Sequence, residues 1–375
     1  MCKEKTFYQS LCQGTELDCR DNRGKRHQLS FILLGFVLGM FRNQDGNLSA
    51  IHESMGSTNA ALCRAVGTDI QRVVSRSHLP RVLAKVDLVE FDRLVFDSYE
   101  IHVPEVLHKW FAGDGKELRG SIQKGHRRGQ VVVQLVAHQD GQTAAQSFYD
   151  GSKESEKPAL RELIASAGLQ RQNISADALH LNPALTELIQ GGGGTYLIGL
   201  KANQRVLLGD LCRNLSGFPC ELTFEDNCKG HGRREERKYT VYDIRGATTA
   251  RRWAKSNFRQ LIRVERVRKS LCGKELGHET AHYISNAHPD RGLECCHAIR
   301  RHWCVEVNNH YRDVTLREDR FRTKKRPLNR LAAACRTLVM RILSAIDVDN
   351  KRKQLRLFQN DFDALIDTLK THRFL

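Results

Sequence analysis

Between Val131 and Gln204 the hydrophobic pattern changes period several times, and few architectures can carry that alternation. VVVQLVAH (131–138) is a continuous apolar run of strand length, and TAAQSFYDG can pair with it after a turn at Gly141. SEKPALRELIASAGL reads as a helix, with Ser155 as N-cap, Pro158 in the first turn and Gly168 as the stop. ISADAL is a short strand, NPALTELIQGGGG a helix closed by glycines, and TYLIGLKANQ an apolar strand with a polar end. With a short strand ahead of Asp114, the order is strand, strand, strand, helix, strand, helix, strand. That order predicts an α/β core over residues 105–205 rather than a bundle or a sandwich.

The flanks read differently. Residues 1–95 are expected to be a helical N-terminal domain, because LSFILLGFVLGMF (29–41) and HLPRVLAKVDLVEFDRLVFDSY carry apolar residues at helical spacing. The first of these runs is too short to span a bilayer and reads as a buried helix. Residues 206–290 hold strand-like segments broken by basic turns, and predict a β-rich insertion. Residues 291–375 return to a helical period. LECCHAIRRHWCVEVNNHYRDV should present His302, Glu306, Asn309, His310 and Asp313 on one polar face, with Ile299, Trp303 and Val307 toward the core. RPLNRLAAACRTLVMRILSAI is a core helix.

Charge narrows the partners. The chain has 375 residues, with 60 Lys and Arg against 43 Asp and Glu, a net +17 that suits a polyanion. A membrane surface fits less well, since no basic helix carries an aromatic face. MCKEKTFYQS lacks the apolar core of a signal peptide, so a cytoplasmic location is expected. The twelve cysteines show no disulfide framework. Cys220, Cys228 and His231, and separately Cys295, Cys296, His297 and Cys304, lack the paired spacing of a structural zinc site.

Three acids stand out. FAGDGKELRGS sets Asp114 between two glycines; alone it is an ordinary Asp-Gly turn, with Lys116 and Arg119 behind it. Asp177 follows the ISA strand, and strand ends of such sheets gather functional side chains. Glu306 sits on the later helix. Three surface acids are one reading. The other is a magnesium site, since that ion takes hard oxygen ligands. Two such ions about 3.5–4 Å apart serve phosphodiester chemistry.

These segments resemble motifs of one group. DGKELRGS and SADALH are similar to the first- and second-aspartate motifs of bacterial insertion-sequence DDE transposases of the H-repeat-associated group. GSKESEKPALRELI resembles that group's K-S-N-E segment, keeping Lys153 and Glu156, and TYLIGLKANQ its strand ending in K-x-N-Q. KGHGRREERKY resembles H-G-R-x-E-x-R, and IRRHWCVEVNNHY resembles I-R-x-H-W-x-I-E-N-x-L-H-W, with Glu306 at the catalytic glutamate. The likeness runs from about residue 105 to 345.

The resemblance implies a ribonuclease-H-like core interrupted by the β-rich insertion. It implies Asp114, Asp177 and Glu306 as catalytic ligands of two magnesium ions, with manganese able to substitute. Lys116, Arg119, Lys201, Asn203, Gln204, Arg233, Arg237, His302 and His310 are the expected DNA contacts. Double-stranded transposon ends and target DNA are the implied partners, bound by a homodimer in the bacterial cytoplasm and nucleoid. Val307, and Leu181 with Asn182, depart from the group's pattern. HYRDVTLRED is one residue short, which shifts Glu318 and Asp319. A domesticated, non-catalytic DNA-binding protein and a structure-specific nuclease are the alternatives.

Overall fold

The computed structural model describes residues 5–43, 45–99, 108–151, 153–230, 232–247, 249–346, 348 and 350–375, without the side chains of residues 153–155. His231 and the Ser155 side chain therefore lie outside the described residues.

The N-terminal part is helical: α1 (Phe7–Gln13), α2 (Leu29–Arg42), α3 (Leu48–Val66), α4 (Leu79–Leu83) and α5 (Leu88–Ser98). From Leu29 to Phe41 every residue of α2 is buried. The single helix expected over HLPRVLAKVDLVEFDRLVFDSY is broken instead. Asp87 starts α5 as an N-cap, its Oδ1 accepting from the Glu90 amide at 2.9 Å. These helices have no core to themselves. Phe7, Phe36, Phe41 and Phe91 share one cluster with Leu338, Phe358, Leu365 and Phe374 from the far end of the chain.

The centre is α/β, as the alternating pattern predicted. Strands β1 (Trp110–Leu118), β2 (Gln130–Ala137) and β3 (Thr143–Asp150) form an antiparallel meander. Helix α6 (Lys153–Ser166) leads to β4 (Asn173–Ala176), and α7 (Pro183–Gly191) to β5 (Thr195–Leu200); β4 lies parallel to β1, and β5 to β4. After α8 (Arg205–Arg213) come four long antiparallel strands, β6 (Cys220–Gly230), β7 (Arg233–Asp243), β8 (Gln260–Ser270) and β9 (Glu275–Ser285). They do not form a sheet of their own. β9 pairs with β5, giving nine strands in the order β3-β2-β1-β4-β5-β9-β8-β7-β6.

The chain closes with α9 (Gly292–Arg301), α10 (Trp303–His310), α11 (Arg326–Ala345), α12 (Lys351–Asn360) and α13 (Phe362–Thr371). Helices α6 and α7 bury Leu160, Ile164, Leu185 and Ile189 against Leu135, Ile174 and Ile198 of the sheet. α9 packs Cys295, Cys296 and Ala298 against Leu197, Val241 and Ile262. α10 lies on β1 and β2, and α11 bridges from β2 and β3 to α2 and α5. Among the described residues no helix is long and apolar enough to cross a membrane.

Candidate active site

Asp114 lies in the middle of β1, not after a strand and not in a turn. Its flanking glycines are extended backbone, and packing explains them. A Cβ on Gly113 would stand 2.9 Å from Leu160 Cδ1, and one on Gly115 would stand 2.7 Å from Glu156 Cδ. Both glycines let α6 lie against the strand; the sequence-based expectation that they open a path for metal and DNA is replaced by this contact. β4 ends at Ala176, opposite Gly113, so beyond that register the β4 side of β1 has no partner strand. Through this opening Glu156 approaches Asp114 from the α6 side. From α10, Asn309 Nδ2 donates to Asp114 Oδ2 at 3.1 Å. Burial, then repulsion by Asp177 and Glu156, pushes the Asp114 carboxyl up to about 7.

Asp177 follows β4 directly, as expected. Its Oδ1 accepts from the Leu179 amide at 2.9 Å and caps a single turn, Ala178–His180, leaving the carboxylate half-exposed. His180 is fully buried, with Nε2 3.3 Å from Glu156 Oε1 and 3.9 Å from Asp177 Oδ1. Tyr149 donates its hydroxyl to Glu156 Oε2 at 3.3 Å. The K-x-N-Q end of β5 holds this loop from the side. Asn203 Nδ2 donates to Ala178 O at 2.5 Å, and Gln204 Nε2 to Leu181 O at 2.8 Å.

Glu306 is exposed on α10. Burial of its surroundings raises its carboxyl, nearby Lys201 opposes this, and the Asp177 charge adds to the rise. Asp177 therefore repels both Asp114 and Glu306, and is the electrostatic middle of the three. His302 is partly buried and turned inward. Its Nδ1 lies 2.9 Å from Ser175 Oγ, which is also 2.8 Å from His138 Nε2. Burial depresses His302 to about 4 and His138 to about 3, so both rings are neutral at pH 7.

Several expected DNA contacts are otherwise engaged. Lys116 is buried, its Nζ 2.7 Å from Asp313, 3.2 Å from Glu318 and 3.6 Å from Asp319, and so faces acids rather than phosphate. Arg237 is buried against Glu235, with Asp226 at 3.7 Å. His302 is bound to Ser175, while Asn203 and Gln204 spend their amide donors on the Asp177 loop. Arg119 and His310 remain exposed, as does Lys201, and Arg233 is partly exposed with Glu235 at 3.0 Å. Trp303 and Val307 point outward, 54% and 40% exposed; Val305 and Asn308 face in instead.

Glu156 and His180 join Asp114 in a group whose ligand-type atoms all lie within 4.8 Å of one another. Both residues stand inside the motif segments GSKESEKPALRELI and SADALH, and that was the available signal. Their meeting depends on α6 folding over β1, which no local spacing encodes.

No family model matches the chain. Over 359 residues it is 24% identical to "Putative transposase YncI" of Escherichia coli O157:H7, covering 91% of this chain and 89% of that one. It is 26% identical over 344 residues to "H repeat-associated putative transposase YhhI" of Escherichia coli K12, covering 87% and 88%. "H repeat-associated putative transposase YbfD" of the same strain matches 228 residues at 25% identity. The chain is thus similar along nearly its whole length to curated bacterial proteins that carry the name "putative transposase". Within that class its named relatives include the H-repeat-associated group that its motifs resemble.

Proposed function

We propose that this chain is a DDE transposase with a ribonuclease-H-like core, binding terminal inverted repeats and performing metal-dependent DNA cleavage and strand transfer. The observation that carries the reading is the charge of Asp177, which acts on Asp114 in β1 and on Glu306 in α10. The Asp177 charge raises the carboxyls of both Asp114 and Glu306, and acids so placed call for a counter-charge. The donor set consists of carboxylate oxygens, which fits magnesium. Asp114, Asp177 and Glu306 would hold the ions. When bound, magnesium supplies activation of water or a DNA hydroxyl and stabilisation of the leaving oxygen.

The chain's own residues prepare that site. Asn309 fixes the Asp114 carboxylate, and Asn203 and Gln204 fix the loop that presents Asp177. Lys201, beside Glu306, and exposed Arg119 are the cations best placed for DNA phosphates. The element order of β1 through β5, with helices on the parallel connections, supports the ribonuclease-H-like assignment. The helical layer is assigned to end binding, and the working form to a homodimer on DNA in the cytoplasm.

The test is magnesium-dependent cleavage and joining of a DNA end taken from the repeats that flank the gene. Asp177→Asn should abolish cleavage while leaving end binding intact or tighter. Binding by the parent without cleavage would replace the proposal with a non-catalytic DNA-binding protein; cleavage without joining would replace it with a nuclease.

A further inference from the structure

We propose that Glu156 and His180 complete, with Asp114, a mixed nitrogen–oxygen cation subsite beside β1 where β4 ends, selective for a manganese-class transition ion over magnesium. The inference rests on the functional reading only in sharing Asp114. Glu156 and His180 border Asp114 and Asp177 but are not among the three acids assigned to magnesium.

Three observations carry it. The ligand-type atoms of Asp114, Glu156 and His180 fall within 4.8 Å of one another. Ligand atoms bonded at about 2.1 Å stand about 4.2 Å apart across an ion and about 3 Å apart when adjacent, so closure of up to about 2 Å would seat one. His180 supplies the second observation. It is 0% exposed, and neither ring nitrogen has a hydrogen-bond partner among the described residues. Its Nε2 nevertheless points into the group, 3.3 Å from Glu156 Oε1 and 3.9 Å from Asp177 Oδ1. A buried imidazole is normally hydrogen-bonded, and one that makes only an ion-pair contact with Glu156 while aimed at carboxylates has the chemistry of a ligand.

The third observation is the support around Glu156. Tyr149 donates to Oε2, which leaves Oε1 turned toward His180. Gly115 keeps clear the space that the Glu156 carboxyl occupies, since a Cβ there would be 2.8 Å from Oε1. The donor set decides the ion. Magnesium prefers an all-oxygen shell and sheds water reluctantly, whereas imidazole with carboxylates suits first-row transition ions.

The experiment uses the full chain without DNA. Mn2+ and Mg2+ binding are measured by calorimetry, and bound Mn2+ by pulsed electron paramagnetic resonance for coupling to a nitrogen-14 ligand. The parent should bind Mn2+ at least about tenfold more tightly than Mg2+ and show nitrogen coupling. Glu156→Gln should weaken Mn2+ by at least about tenfold, the scale on which even a ligand's outer partner acts. His180→Gln should remove the nitrogen signal, and Glu306→Gln should retain it. Absence of nitrogen coupling in the parent, or unchanged Mn2+ affinity in a folded Glu156→Gln protein, overturns the subsite. Should His180→Gln fail to fold, the parent's spectrum and Glu156→Gln still decide. Loss of cleavage in Glu306→Gln with the nitrogen signal intact separates this subsite from the transposase reading.

Discussion

Replacing Asp114 by Asn should stabilise the metal-free protein at pH 8, although it removes a proposed catalytic group. Folding lifts this carboxyl from an unfolded value near 3.9 to about 7, through burial and then repulsion from Asp177 and Glu156. A raised carboxyl favours the folded state fully below the unfolded value, and loses that advantage as pH rises through the folded one. The shift corresponds to about 4 kcal/mol opposing ionisation at pH 8. Asp177 is half-exposed and its contribution is screened, so a gain of about 2–4 kcal/mol is expected. Asn309 can still donate to the carbonyl oxygen of the new side chain, so that bond is kept. Urea unfolding in chelator from pH 4 to 9 is the assay. The gap between variant and parent should be near zero at pH 4, open up toward pH 7 and be complete by pH 8. Magnesium should close it by stabilising the parent alone. A parent whose stability relative to the variant does not change across that range would refute the electrostatic argument.

Other consequences follow from the ion pairs and the shared core. Lys116→Ala should lower stability by about 3 kcal/mol in urea titration, because Asp313 and Glu318 would lose a buried partner; the salt slope of DNA binding should stay the same. Arg233→Ala should soften that log–log slope by about 1 unit or less. Arg237→Ala should instead lower the melting temperature, since its guanidinium is buried with Glu235. Deleting residues 1–95 should yield an insoluble or unfolded remainder by circular dichroism, as Phe358, Leu365 and Phe374 would lose the cluster they share with α1, α2 and α5.

What the sequence revealed follows from the range of the forces involved. α2, β2 and β5 are written as continuous apolar runs, and Asp177 sits where a strand must end, so these features were readable locally. Asp114 was harder, because Gly-Asp-Gly has the signature of a turn. Only the arrival of Leu160 and Glu156 from α6 makes two glycines on one face useful inside a strand. Lys116 was misread for a related reason: the acids that enclose it lie about two hundred residues away. The face of α10 failed on phase. Stepping by four from Ile299 to Trp303 and Val307 drifts about 40° each time, while the inward stripe runs through Ala298, His302, Val305, Asn309 and Arg312. Several members of that stripe are polar because they face Ser175, Asp114 and Glu318. A hydrophobic count could not find it.

The core that joins the two ends of the chain also sets a schedule for biosynthesis. Helices α1 to α5 are made first and pack partly on one another, yet the late partners that complete the cover of α2 and α5 begin only at Leu316. At roughly 5–20 residues per second, the apolar face of α2 waits about 15 to 60 s on the ribosome before α11 emerges. During that interval the central sheet can assemble, while Phe36 and Phe41 wait for Phe321 and Phe358. The nascent chain is therefore a client for holdase chaperones. A chain stalled just after β9 should be captured by them and cut within α2 by protease, while its central strands resist.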